Sequence, residues 1–156
     1  MSLLHVAVIG LSMGEYHLVS VLQSGAEVTA ICDTNPDTLQ RVGDKHGIPA
    51  GRRFTDYRLL IDSPEIDAVL IVVPDQLHRT MCEEFLSAGK HVMCEKPLAL
   101  THADVSAIVS AANACDRVFM VGQICRFTPA FKKAKELIDA GTIGELYFVE
   151  SEYVLY

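Results

Sequence analysis

Apolar residues in this chain recur with two spacings that alternate along its length. Short continuous runs, Leu4 to Ile9, Glu27 to Cys32, Ile66 to Val73, His91 to Cys94 and Val118 to Val121, read as strands. Between them apolar positions return every three or four residues: Leu18, Val19, Val21 and Leu22; then Met81, Cys82, Phe85 and Leu86; then Val105, Ile108, Val109 and Ala112. These predict helices. A second helix is expected over about Pro36 to His46, an extended piece near Arg52 to Phe54, and a short helix from Asp56 to Ile61. The β-branched run Ile66 to Val73 has no polar alternation, which predicts a strand buried on both faces. Thr101-His102-Ala103-Asp104 has the form of a capping box, and Thr128-Pro129 opens a last helix with Phe131, Ala134, Leu137 and Ile138 inward and Lys132, Lys133 and Lys135 outward. Strand and helix alternating in this way predict an α/β fold with a doubly wound parallel sheet.

The chemistry gathers where strands end. The first strand runs directly into Gly10-Leu11-Ser12-Met13-Gly14 and then a helix closed by Gly25, which is half of a nucleotide-binding unit. Gly10 would make the tight turn, and Gly14 would let the start of the helix approach a pyrophosphate, whose charge the free N–H groups and the helix dipole favour. The loop is one residue shorter than G-x-G-x-x-G, with Ser12 at the middle glycine, so its hydroxyl either loosens the approach or donates to phosphate. The second strand ends at Asp33, 19 residues after Gly14 and close to the ~20 expected for an acid that holds a ribose. Asp33-Thr34-Asn35-Pro36 is also good turn and cap chemistry, so the carboxylate has two readings. The fourth run ends in Glu95-Lys96-Pro97, which puts a carboxylate and an ammonium where open α/β sheets bind their ligands, outside the carboxyl ends of strands. The bland reading of that triplet is a surface ion pair ahead of a loop proline.

Composition narrows the function classes. A chain of 156 residues with 50% hydrophobic content can form one covered core. Its formal net charge of −7, with acids spread throughout, argues against nucleic acid and anionic membrane as partners. There is no run of about 18 apolar residues and no basic region ahead of a hydrophobic one, so a cytoplasmic location is expected. Cys32, Cys82, Cys94, Cys115 and Cys125 are scattered, odd in number and without a C-x-x-C, which predicts buried reduced thiols rather than a metal site.

Taken together, Gly10 through His17, Asp33, Val73-Pro74 with His78, Gly89-Lys90-His91-Val92 leading into Glu95-Lys96-Pro97-Leu98-Ala99, and Val121-Gly122-Gln123 with Arg126-Phe127 resemble the glucose-fructose oxidoreductase and inositol dehydrogenase (Gfo/Idh/MocA) family. The resemblance covers nearly the whole chain, and the Gly-Lys-His-Val to Glu-Lys-Pro block is its most specific part. It implies an NAD(P)-binding Rossmann domain over residues 1–125 and, over 126–156, a linker helix and the first strand of a C-terminal substrate domain. It further implies an oxidoreductase moving a hydride between a secondary alcohol of a sugar or cyclitol and nicotinamide. By carry-over the cofactor site comprises Gly10, Ser12, Met13, Gly14, Asp33, Val73, Pro74, Asp75, His78, Glu95, Lys96 and Gln123, with Lys96 the catalytic candidate and a cis bond before Pro97. Asp33 without an adjacent Arg favours NAD over NADP, since a carboxylate repels a 2′-phosphate.

Two departures from the family pattern stand out. Asp75 occupies a position where relatives usually carry Asn; it is read as a cofactor-side group or as a helix N-cap. His78, one turn on, is read as a cofactor- or substrate-side contact or as plain helix surface. The chain ends at Tyr156, just after Leu146 to Val154 begins what reads as the first strand of the substrate domain, so these residues alone are expected to be inactive. That apolar segment would expose unpaired backbone groups, which predicts pairing with a second copy, or packing back on its own domain, and a homo-oligomer. Two other readings stay open: a non-catalytic NAD-binding or sensing module, and a methyltransferase-like domain taking S-adenosylmethionine.

Overall fold

The computed structural model describes residues 3–152 and 154, and the chain divides into two compact units, the first ending at Gly122 and the second beginning at Gln123. The first unit is a six-stranded parallel sheet in the order β3-β2-β1-β4-β5-β6. Its strands are β1 (His5–Ile9), β2 (Glu27–Cys32), β3 (Arg53–Phe54), β4 (Ala68–Ile71), β5 (His91–Cys94) and β6 (Phe119–Val121), and its helices α1 (Gly14–Ser24), α2 (Pro36–His46), α3 (Arg58–Ile61), α4 (His78–Ser87) and α5 (His102–Asn113). The order reverses between β1 and β4, which opens a crevice at their carboxyl ends.

Residue alternation along the strands divides the core by face. Val6 and Val8 of β1 pack with Leu18 and Val21 of α1 and with Leu39 and Val42 of α2. Ala7 and Ile9 point to the other side, against Phe85 and Leu86 of α4 and Ile108 of α5. The α2 boundaries follow from local chemistry: Asn35 accepts from the Asp37 and Thr38 amides, Pro36 opens the first turn, and Gly47 closes the last in the left-handed region. The expected capping box forms as well, with Thr101 accepting from the Asp104 amide and donating its hydroxyl to the Asp104 carboxylate. Cys32, Cys82 and Cys94 are buried in the core, Cys115 is half-buried and Cys125 is exposed.

Two expectations need correction. The run from Ile66 to Val73 yields a strand of only four residues, and its Leu70 is half-buried, not covered on both faces. The reason is an apolar groove of about 490 Å³ on the α1 side of the sheet, lined by Val6, Val21, Leu70, Met93 and Met120 among others, which no helix of the first unit fills. The second correction lies in the second unit. It holds a 3₁₀ turn (Ile124–Phe127) and α6 (Pro129–Asp139), but the segment from Leu146 to Glu152 forms no strand, and Leu146, Phe148 and Val149 are exposed. Tyr153, in the same expected strand, lies outside the described residues. A lone segment has no ladder to satisfy its backbone groups, and the described residues of this unit offer no strand beside it. Phe131, Leu137 and Ile138, expected inward, are exposed: among the described residues α6 is the unit's single α-helix. Its lysines behave as a solvated face, Lys133 pairing with Glu136 and Lys135 with Asp139. Among the described residues no helix is long and apolar enough to cross a membrane.

Candidate active site

The glycine turn follows β1 without a linker. The Gly10 amide donates to the Cys32 carbonyl at 2.8 Å, and Gly10 sits at φ +83°, in the region L side chains avoid. A Cβ there would lie 2.1 Å from the Val72 carbonyl oxygen, so the chain passes too close to the end of β4 for any side chain. Gly14, the first residue of α1, is buried, and a Cβ on it would meet Val8 at 3.3 Å. Between them Ser12 and Met13 are exposed; of the first amides of α1, that of Tyr16 donates to the Met13 carbonyl, and no side chain caps the others. Exposed backbone donors, a helix N-terminus and two tightly constrained glycines fit a pyrophosphate.

Asp33 follows β2, and its carboxylate has a structural duty. Its Oδ2 accepts from the Leu11 amide at 2.7 Å and its Oδ1 from the Asn35 amide at 2.9 Å. The same side chain thereby fixes the glycine turn and begins the next one. Each oxygen keeps a further lone pair, enough to accept from ribose hydroxyls.

On the other side of the crevice β4 leads to Val73 and Pro74, then a 3₁₀ turn beginning at Asp75. Pro74 occupies the cap position with no side-chain cap bond, so Asp75 does not serve as an N-cap here. His78 begins α4 and is fully buried, which removes the reading as helix surface. Its Nε2 lies 2.9 Å from the Val73 carbonyl, and its Nδ1 lies 3.0 and 3.2 Å from the carbonyls of Pro97 and Leu98.

Glu95 leaves β5 with its own amide donating to the Ile71 carbonyl at 2.9 Å. Its Oε1 accepts from His17 Nε2 at 2.9 Å, and its Oε2 from the Lys96 amide at 2.8 Å. Gly122 makes room for this carboxylate, since a Cβ there would lie 2.9 Å from Oε1. Glu95 is half-buried, Lys96 exposed, and the Lys96–Pro97 peptide is cis. A fixed carboxylate beside an exposed ammonium, one strand from the crevice, can orient a bound molecule and pass it a proton. The first unit thus brings Gly10, Ser12, Met13, Gly14, Asp33, Val73, Pro74, Asp75, Glu95 and Lys96 to the carboxyl edge of its sheet, while Gln123 opens the second unit. Sequence reasoning did not single out His17 as the partner of Glu95. Its position one helical turn past Gly14, on the inner side of α1, was the available signal.

Known proteins share this fold. A family model described as "Oxidoreductase family, NAD-binding Rossmann fold" (GFO_IDH_MocA) matches residues 4–123. The chain is 32% identical to an inositol 2-dehydrogenase of Salmonella typhimurium over 154 residues, 96% of this chain and 46% of the relative. Among solved structures, apo scyllo-inositol dehydrogenase from Lactobacillus casei superposes with a TM-score of 0.85 at 28% identity, covering 92% of this chain and 43% of that one. Levoglucosan dehydrogenase in complex with NADH gives 0.84 at 31% identity, covering 92% and 41%. The chain therefore spans less than half the length of the relatives it matches.

Proposed function

Because this chain belongs to the Gfo/Idh/MocA oxidoreductase family through its NAD-binding Rossmann domain, we propose that it is the cofactor half of a dehydrogenase acting on a secondary alcohol of a polyol or sugar. The observation that carries this reading is the exposed Lys96 beside the braced Glu95, at the carboxyl end of the strand next to the crevice. In this reading Gly10 and the amides of residues 12–14 hold the pyrophosphate, Asp33 holds the adenosine ribose, and Glu95 orients the nicotinamide end. Bound NAD supplies the hydride acceptor. Lys96 then takes the hydroxyl proton during oxidation as a free amine, or returns it during reduction as an ammonium. Residues from 126 onward lead into the domain that holds the substrate. Membership of the family sets aside the S-adenosylmethionine reading. The net charge of −7 supports a small-molecule partner and not nucleic acid, and the exposed apolar segment after Gly144 supports a homo-oligomer.

The test is turnover by the protein translated from the entire reading frame, followed as NADH formation across a panel of cyclitols and sugars. Lys96→Met should lower kcat by about 10²-fold and leave NAD affinity nearly intact. A non-catalytic module would bind NAD and oxidise nothing in the panel. Equal losses in binding and turnover would make Lys96 a cofactor ligand instead of the proton carrier.

A further inference from the structure

Among the described residues His78 is the only buried histidine; it stands fully covered at the carboxyl edge of the sheet, and the chemistry above does not use it. Its surroundings set an unusual requirement. A neutral imidazole offers one N–H and one bare nitrogen, so between two acceptors it satisfies only one. Here the ring stands between Val73 on one side and Pro97 with Leu98 on the other, and all three present carbonyl oxygens within 2.9 to 3.2 Å. With one N–H the ring would leave a lone pair facing a lone pair in a buried site, which costs more than an ordinary missing bond. With two, both sides are satisfied.

The two sides are different parts of the site. Val73 follows β4 and forms one wall of the crevice, and its neighbour Val72 supplies the carbonyl that leaves Gly10 no room for a side chain. Pro97 and Leu98 directly follow Lys96. We infer that His78 is a positioning residue: as a doubly protonated ring it staples the loop after β4 to the backbone after Lys96 and so fixes where the Lys96 amine stands relative to the cofactor crevice. This inference rests on the proposed role of Lys96.

The neighbourhood agrees. The titratable group facing the ring is Cys94 of β5, which in turn touches Cys82 of α4, while the segments after β4 and β5 present carbonyls. On α5, Asp104 is turned away to Arg79. Burial opposes a charge on the ring, while the Cys94 sulfur and then the Val73 and Pro97 carbonyls raise its pKa. Contact with Cys82 and burial hold Cys94 as a neutral thiol, which leaves the carbonyl geometry on both sides of the ring as what favours the cation.

Two measurements test the inference separately. In the chain labelled with ¹⁵N-histidine, His78 should show both ring nitrogens protonated at pH 7, its signals identified by their loss in His78→Gln. One bare nitrogen at pH 7 would overturn the staple, whatever the enzyme does. In the protein from the entire reading frame, His78→Phe should lower kcat about tenfold or more with KM for NAD unchanged. His78→Gln, which keeps a donor toward one side, should recover part of that loss. Wild-type kcat should also fall as pH passes the ring's ionisation, a limb that both variants lose. Unchanged kcat in a folded His78→Phe, or a loss confined to NAD affinity, would overturn the positioning role. Should His78→Phe not fold, His78→Gln is read by the same criteria. A wild type that turns over nothing in the panel refutes the dehydrogenase reading while the nitrogen spectrum still decides the staple.

Discussion

Gly10 and Gly25 offer a controlled measurement of how close the glycine turn runs to the rest of the sheet. Both lie in the left-handed region, at φ +83° and +85°, so an alanine at either suffers the same backbone strain of about 1 to 2 kcal/mol. Both substitutions also restrict the unfolded chain equally, and that term cancels in the comparison. The spaces differ. Around Gly25 a Cβ would meet nothing within 4 Å, whereas at Gly10 it would lie 2.1 Å from the Val72 oxygen and 2.7 Å from its carbonyl carbon. That carbonyl cannot simply retreat, because the Val72 amide is tied to the Ile9 carbonyl at 2.8 Å. Overlap of this kind adds roughly 1 to 3 kcal/mol. Gly25→Ala should therefore cost about 1 to 2 kcal/mol, and Gly10→Ala about 2 to 5 with NAD binding lost as the turn shifts. Urea denaturation of the two variants and of wild type measures the first, and calorimetric titration with NAD the second. If Gly10→Ala comes within about 0.5 kcal/mol of Gly25→Ala, the scatter of ordinary surface changes, the close approach is not rigid and the reasoning fails.

Other consequences are open to simpler measurements. Asp33→Ala should weaken NAD binding by about 1 to 3 kcal/mol and narrow the preference over NADP; an unchanged NAD titration would refute the ribose assignment. Glu15, hydrogen-bonded first by Lys45 and then by Arg41 and His46, has its pKa lowered to about 2 from 4.5. A depressed acid stabilises above its unfolded value and loses that contribution as pH falls, so Glu15→Gln should flatten the stability curve between about pH 4.5 and 2. Denaturation midpoints of wild type and variant that run parallel across that window would contradict it. Gly122→Ala should displace the Glu95 carboxylate from His17 and cost about 1 kcal/mol in NAD affinity, and His17→Ala on top of it should add little; additive losses in a calorimetric double-mutant cycle would show that Gly122 and His17 act separately.

What the sequence made legible follows the range of the interactions involved. Helix α2 is bounded by Asn35, Pro36 and Gly47, all within its own span, and its limits emerge as the spacing predicts. The glycine turn and Asp33 are legible because strand, turn and helix are consecutive in the chain. The double duty of Asp33 is less visible, since its Leu11 partner lies 22 residues away. His17 and Glu95 are 78 residues apart and meet only because the order β1-β4-β5 brings the end of β5 within reach of the helix that follows β1. His78 is legible in the sequence only as a residue on the first turn of the helix after Val73-Pro74; its surroundings are backbone carbonyls, which carry no residue signature at all. The segment after Leu146 fails in the opposite way. Its apolar, β-rich composition is a real strand signal, but a strand needs a neighbour, and composition does not supply one.

The acids of this site explain why its two loops hold their shape in a protein with so much negative charge. Asp33 and Glu95 would be costly half-buried anions near a phosphate-bearing ligand if they were free. Each is instead compensated by donors from the chain: Leu11 and Asn35 amides for Asp33, His17 and the Lys96 amide for Glu95. The compensation has a direction. Every donor belongs to a turn or helix start at the carboxyl edge of the sheet, so in the proposed reading the charge that would repel a phosphate is directed into the turns that present amides to it. An asparagine or glutamine at either position is then a poor mimic. Its NH₂ group would face a backbone N–H or a histidine donor where the carboxylate had an acceptor, setting donor against donor. The requirement for a full carboxylate at Asp33 and Glu95 thus comes from the loops themselves before any ligand binds, and in the proposed reading the lone pairs that remain serve the cofactor.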